Sequence, residues 1–175
     1  MRTEQYQIPQ VEFVFRENSE FVTRTSADLF NGKRVVIFSL PGAFTPTCSA
    51  YQLPGFEAFY DMFKEQGIDE IYCISVNDGF VMNAWAKDQD IEKVKLIPDG
   101  NAYFTRAMGY LVNKSNLGFG QRSWRYAAVV NDRIIEKLFV EEGMRDNADT
   151  DPYEVSTPEA VLEYVKSTVK EPTPV

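Results

Sequence analysis

The stretch Arg34-Val-Val-Ile-Phe-Ser-Leu40 decides the fold. It is apolar almost without interruption, the mark of a strand covered on both faces. Such strands sit in parallel sheets, where crossover helices lie on either side. The sequence after it supplies the crossovers. Pro41-Gly-Ala-Phe-Thr-Pro-Thr47 is a loop with two prolines. Tyr51, Phe56, Phe59, Tyr60 and Phe63 then recur at near-helical spacing as far as Gly67, and Pro54 either kinks that helix or opens its first full turn. Ile71 to Val76 reads as a second buried strand, Val81 to Lys87 as a helix and Val94 to Ile97 as a third strand. Asp99-Gly100 is a turn, and Ala102 to Met108 a short helix ended by Gly109. This β-α-β-α-β order predicts a parallel core.

Outside that core the pattern changes. Upstream, Val11, Phe13 and Phe15 recur at every second position, with Glu12 between the first two, a turn falls at residues 18–20, and Glu20 to Arg24 returns as a strand. Ser26 to Gly32 is one short helical turn. Downstream, Tyr126 to Val130 and Ile134 to Val140 flank Asn131-Asp-Arg133, a hairpin signal. Thr157-Pro158 opens a last helix with an N-cap and a first-position proline, and Val161, Leu162, Tyr164 and Val165 form its apolar face. The order predicts an α/β, thioredoxin-like fold with a central mixed sheet and an N-terminal β-hairpin extension. Residues 1–169 are expected to form one domain. Lys170-Glu-Pro-Thr-Pro-Val175 reads as a flexible tail or linker.

Composition removes most chemistries. The 175 residues contain no histidine, so Ser-His-Asp and Cys-His catalysis, imidazole bases and histidine-containing zinc sites are all excluded. Cys48 and Cys73 are the two cysteines, too few for an all-cysteine metal site and not spaced as CxxC. No metal and no cofactor are expected. The net charge of −8 disfavours nucleic acid and anionic membranes as partners. No apolar run approaches the roughly 20 residues of a membrane span, and the N-terminus lacks the apolar region of a signal peptide. A cytoplasmic location with reduced thiols is expected.

Cys48 lies between a buried strand and a long helix, where unpaired backbone N–H groups and the positive end of the helix dipole gather. A free thiol is only about 3 % ionised at pH 7, and making it mostly thiolate requires roughly 3.4 kcal/mol. A helix terminus contributes about 0.3–1 kcal/mol. If Cys48 is a nucleophile, an arginine or lysine must therefore supply most of the remainder. The competing reading is a buried, inert cysteine.

The residues around it favour the nucleophile. Pro41, Thr45 and Cys48 read PxxxTxxC within Pro41-Gly-Ala-Phe-Thr-Pro-Thr-Cys48, which resembles the active-site signature of peroxiredoxins, and of their type-five subfamily most closely. Ser75 to Trp85, Ile97 to Asn101 and Leu117 to Tyr126 resemble segments of that subfamily in the same order, so the likeness runs over nearly the whole chain. The bacterial peroxiredoxin–glutaredoxin hybrids are among the proteins it resembles. The resemblance implies a thiol-dependent peroxidase reducing hydrogen peroxide and small alkyl hydroperoxides. Cys48 would be the attacking sulfur, leaving as sulfenic acid. Thr45 would place its hydroxyl between thiolate and peroxide, Pro41 would shield the thiolate, and the N–H groups of Thr47 and Cys48 would hold the peroxide. Of the 18 arginines and lysines, the family pattern selects Arg125 as the activating cation. Arg122 is its neighbour and reads as a surface residue. Leu117 and Phe119 form an apolar collar at the pocket, or pack in the core or at a dimer interface.

Cys73 sits inside an apolar strand and reads as a core thiol in surroundings unlike those of Cys48, so no bridge between them is expected. No cysteine follows it, which implies a one-cysteine enzyme reduced from outside by glutathione or a glutaredoxin; no glutaredoxin domain is expected within this sequence. The resemblance also implies a homodimer, with Asp78 to Met82 and Leu117 to Phe119 as contacts. Glu141-Glu142 reads as a solvated face, and Asp149 and Asp151 as an acidic loop. Two other functions fit the composition: a non-enzymatic redox-sensing or chaperone-like module with Cys48 merely packed, and a thiol transferase. The proline-threonine loop without a second cysteine disfavours the transferase.

Overall fold

The computed structural model describes residues 1–168, so the expected tail lies outside the described residues. In chain order the elements are β1 (Glu12–Glu17), β2 (Glu20–Thr25), α1 (Ser26–Phe30), β3 (Arg34–Ser39), a π-helical turn (Cys48–Gln52), α2 (Leu53–Glu65), β4 (Glu70–Ser75), α3 (Gly79–Asp88), β5 (Lys95–Pro98), α4 (Tyr103–Met108), β6 (Leu111–Asn113), β7 (Gln121–Ser123), β8 (Tyr126–Asn131), β9 (Ile134–Val140) and α5 (Pro158–Thr168). The central sheet has the order β5-β4-β3-β8-β9. β3, β4 and β5 run parallel, and β8 and β9 add antiparallel to the other side of β3. The sheet is mixed and the hairpin β1-β2 stands outside it, as the sequence predicts.

The continuous apolar run of β3 now has its reason. Val35 and Ile37 point into one core with Phe30, Tyr72, Phe104 and Trp124. Val36 and Phe38 point into the other, with Leu53, Phe56, Phe63 and Trp85. A strand whose successive side chains enter two cores is apolar along its middle, and polar residues are left to its ends, Arg34 and Ser39. The second core is closed by α2, α3 and α5, and both Cys48 and Cys73 belong to it.

The start signals match. Thr25 caps α1 with a reciprocal capping box, Asp78 caps α3 by accepting from the N–H of Val81 at 2.9 Å, and Thr157 accepts from the N–H of Ala160 at 3.2 Å. Pro54 falls in the first turn of α2, so it marks the first true α-turn rather than a kink. Both hairpins turn on a left-handed pair, Asn18-Ser19 and Asp132-Arg133. β6 and β7, three residues each, pair with one another and escape sequence reading because they are shorter than two periods of alternation. The solvated face expected at Glu141-Glu142 is corrected for Glu141. Its carboxylate is buried and accepts from the N–H groups of Glu154, Val155 and Ser156, fixing the segment that leads into α5.

Candidate active site

β3 ends at Ser39, whose hydroxyl donates to the carbonyl of Ile74 at 2.7 Å and ties the strand to β4. Ser39 pairs with Tyr126, the first residue of β8, so Arg125 is delivered beside the point where the chain leaves β3. Beyond Leu40 the loop folds over and enters the π-helical turn at Cys48. Sheet register thus brings together residues 77 positions apart.

Cys48 has no exposed surface. Arg125, itself 1 % exposed, donates from Nη1 to Cys48 Sγ at 3.4 Å and to Oε1 of Gln52. Its Nη2 donates to both carboxylate oxygens of Asp151, at 2.8 and 2.9 Å. The guanidinium carbon lies 5.8 Å from the ring centre of Tyr153, and Nε is buried without a partner among the described residues. Burial works against the arginine's charge, but the Cys48 and Asp151 charges outweigh it and hold its pKa above the ordinary value.

Arg122 is not the surface residue the sequence suggests. It is half-buried, and donates from Nη1 to the carbonyl of Pro41 at 3.0 Å and from Nε to that of Phe119 at 3.3 Å. Burial lowers its pKa, opposed by attraction to Cys48. A Cβ at Gly42 would overlap its Nη1, so any larger residue there would push the guanidinium tip from this position. Asn77 braces the same loop from the other side: its Oδ1 accepts from the N–H of Ala43 at 3.0 Å and the hydroxyl of Ser75 at 2.6 Å.

Thr45 donates its hydroxyl to the carbonyl of Gly42 at 2.7 Å instead of directing it at Cys48, which leaves its oxygen lone pairs as acceptors. The N–H groups of Thr47 and Cys48 open the helical segment, and no hydrogen bond of the loop uses them. A cavity of about 170 Å³ adjoins, lined by Pro41, Thr45, Leu117 and Phe119 together with Lys114, Asn116, Ala148 and Asp151. Thr47 is not part of its wall. Leu117 is 56 % exposed, so it belongs to the rim and not to the core.

The expectation that Cys48 and Cys73 occupy unlike surroundings is corrected. Cys73, opposite Phe38 in the sheet, lies in the same core as Cys48. Burial pushes its thiol pKa well up; the nearby Cys48 charge adds to that, against the pull of Arg125. Gln52 and Tyr153 have no signal in the sequence, and Asp151, expected to be part of an acidic loop, instead accepts from Arg125. They carry no spacing signal, because the fold and not the local chain gathers them around Arg125.

The sequence profile of the Redoxin family matches residues 6–154. The chain is 55 % identical over 174 residues to a peroxiredoxin of Rhizobium etli, covering 94 % of this chain and 97 % of that protein. It is 48 % identical over 158 residues to the hybrid peroxiredoxin hyPrx5 of Haemophilus influenzae, covering 90 % of this chain and 64 % of the hybrid. Among solved structures, the antioxidant protein of Plasmodium falciparum, a 1-Cys peroxiredoxin, superposes with a TM-score of 0.91 at 44 % identity, covering 95 % of this chain and 100 % of that one.

Proposed function

The chain belongs to the Redoxin family and within it to the type-five peroxiredoxins, thiol-dependent peroxidases, and from that premise we propose how its residues divide the work. Cys48 is the reacting sulfur. Its thiolate attacks the nearer peroxide oxygen, the O–O bond breaks, and the departing oxygen takes a proton to leave as water or alcohol. Arg125 holds the thiolate and the charge that develops on the oxygens. Thr45, fixed by Gly42, accepts the peroxide O–H, while the N–H groups of Thr47 and Cys48 donate to the departing oxygen. Pro41 keeps bulk water from the sulfur, and Leu117 and Phe119 form the apolar collar.

The cycle closes with two external thiols. The first attacks the Cys48 sulfenic acid, releasing water and leaving a mixed disulfide. The second releases a symmetric disulfide and restores Cys48. Glutathione or a glutaredoxin fits this role, because Cys73 is ill suited to resolve Cys48: burial keeps it protonated. The substrates are hydrogen peroxide and small alkyl hydroperoxides. The working unit is the domain of residues 1–169 as a homodimer in the cytoplasm; no helix among the described residues is long and apolar enough to cross a membrane.

The observation that carries the assignment is the 3.4 Å contact between Arg125 and Cys48 in a chain without histidine. Peroxide consumption with glutathione and glutaredoxin tests it. Cys48→Ser is expected to abolish turnover and Cys73→Ser to retain most of it. A dominant Cys48–Cys73 bridge after peroxide treatment, with turnover lost in Cys73→Ser, would overturn the one-cysteine cycle.

A further inference from the structure

The cavity beside the Cys48 loop is lined by one lysine, Lys114, whose charge peroxide reduction does not use, and we infer that it is a subsite for a carboxylate carried by a small molecule that reacts with Cys48. The inference rests on Cys48 being the reacting sulfur. Lys114 stands in its wall, only 3 % exposed. Among the described residues its ammonium makes no hydrogen bond and no ion pair; its neighbour is the Trp124 ring, whose centre lies 5.7 Å from Nζ. A ring face compensates only part of the cost of taking an ammonium out of water. The cavity is an opening that Lys114 lines.

The two carboxylates of the same wall are already engaged. Asp151 binds Arg125 at 2.8 Å, and Asp149 binds Arg145 at 2.6 Å. Arg122 is not part of the wall, and its hydrogen bonds among the described residues go to the backbone carbonyls of Pro41 and Phe119, which are. With Asp149 and Asp151 engaged by arginines and Arg122 drawn toward Cys48, Lys114 is the charged side chain of this wall left without a counter-charge among the described residues, in a chain whose net charge is −8. Hydrogen peroxide is neutral and requires no such anchor. A carboxylate does, and the Asn116 amide, which otherwise makes only a 3.4 Å bond to the carbonyl of Ala148, can serve its second oxygen. Leu117 and Pro46 offer an apolar wall for the carbon chain between carboxylate and reacting atom.

The carboxylate can belong to an organic hydroperoxide or to the reducing thiol, and two stopped-flow arms separate these. One compares oxidation of Cys48 by a short hydroperoxy acid and by its methyl ester. The other compares reduction of the Cys48 sulfenic acid by glutathione and by glutathione diethyl ester. The chain's overall negative charge favours the esters, so preference for the acid reports the local site. In one arm the acid is expected to react faster by about tenfold, the worth of one charge-assisted contact, with the ratio shrinking as salt rises. Lys114→Met should bring that ratio close to one, and Lys114→Arg should restore part of it. Acid-to-ester ratios near one in both arms of the wild-type protein, or a preference that survives in a folded Lys114→Met, overturn the subsite. Failure of hydrogen peroxide to oxidise Cys48 would instead overturn the assignment of the reacting sulfur.

Discussion

Arg125 serves Cys48, Gln52 and Asp151 from a single buried guanidinium, and each partner limits where the others can sit. Its planar fork makes this arrangement possible; a lysine offers a point charge that cannot reach all three. Arg125→Ala is expected to move the midpoint of thiol alkylation to higher pH and to slow peroxide oxidation by roughly 10–100-fold, the worth of a charge-assisted bond to sulfur. Arg122→Ala should also slow oxidation, but less, because that guanidinium reaches the sulfur only through space while its hydrogen bonds hold the Pro41 and Phe119 carbonyls. Alkylation rate against pH, measured for both variants, checks the order; an unchanged midpoint in Arg125→Ala would remove that residue from activation.

Among the elements, β9 is tied by one side chain to β3, across β8, and to α5. Glu136 accepts from Nε and Nη2 of Arg34 on β3 at 3.1 and 2.7 Å, and from the hydroxyl of Tyr164 on α5 at 2.7 Å. Burial raises the pKa of this carboxyl, but the two donors outweigh that and hold it below its ordinary value. A carboxyl lowered on folding stabilises the fold above its unfolded pKa, and that contribution disappears as pH falls through the folded pKa. Glu136→Gln should therefore cost about 1 kcal/mol at pH 7 and almost nothing at pH 3, read by denaturant unfolding at both pH values. The elements themselves were largely legible in the sequence. β3 announced itself because it enters two cores, and Thr25, Asp78 and Thr157 marked helix starts with local chemistry. The Cys48 loop was legible as a motif. The other neighbours of Arg125, namely Gln52, Asp151 and Tyr153, were not, because they come from separate segments that meet only in the tertiary fold, and the half-burial of Arg122 was not, because it depends on the missing side chain of Gly42.

For the molecule as a whole, the expected homodimer can be narrowed. Met82 is buried in the core and cannot face a partner, whereas Phe80 is 55 % exposed. Phe80 meets Phe21 edge-on with ring centres 6.0 Å apart, and the Arg16 guanidinium lies over both rings. Phe44, Tyr51 and Leu117 are exposed apolar residues on which an interface near the Cys48 loop would also rest. Phe80→Glu is expected to shift the protein to monomer in sedimentation velocity while leaving its circular dichroism unchanged; a wild-type protein that sediments as a monomer at all concentrations would exclude the dimer.

The π-helical turn at Cys48–Gln52 has a geometric corollary. Counted back from buried Phe56 at α-helical pitch, the residue one heptad earlier is Ser49, not Cys48. The wider turn, closed by the N–H of Leu53 on the carbonyl of Cys48, takes up one extra residue and so gives the inward azimuth to the cysteine. Rewound as an ordinary α-turn, the same segment would bring Ser49 inward and swing the sulfur outward by about 100°. One step of helical phase thus separates a sheltered sulfur from one that a bulky thiol can reach, with α2 left in place.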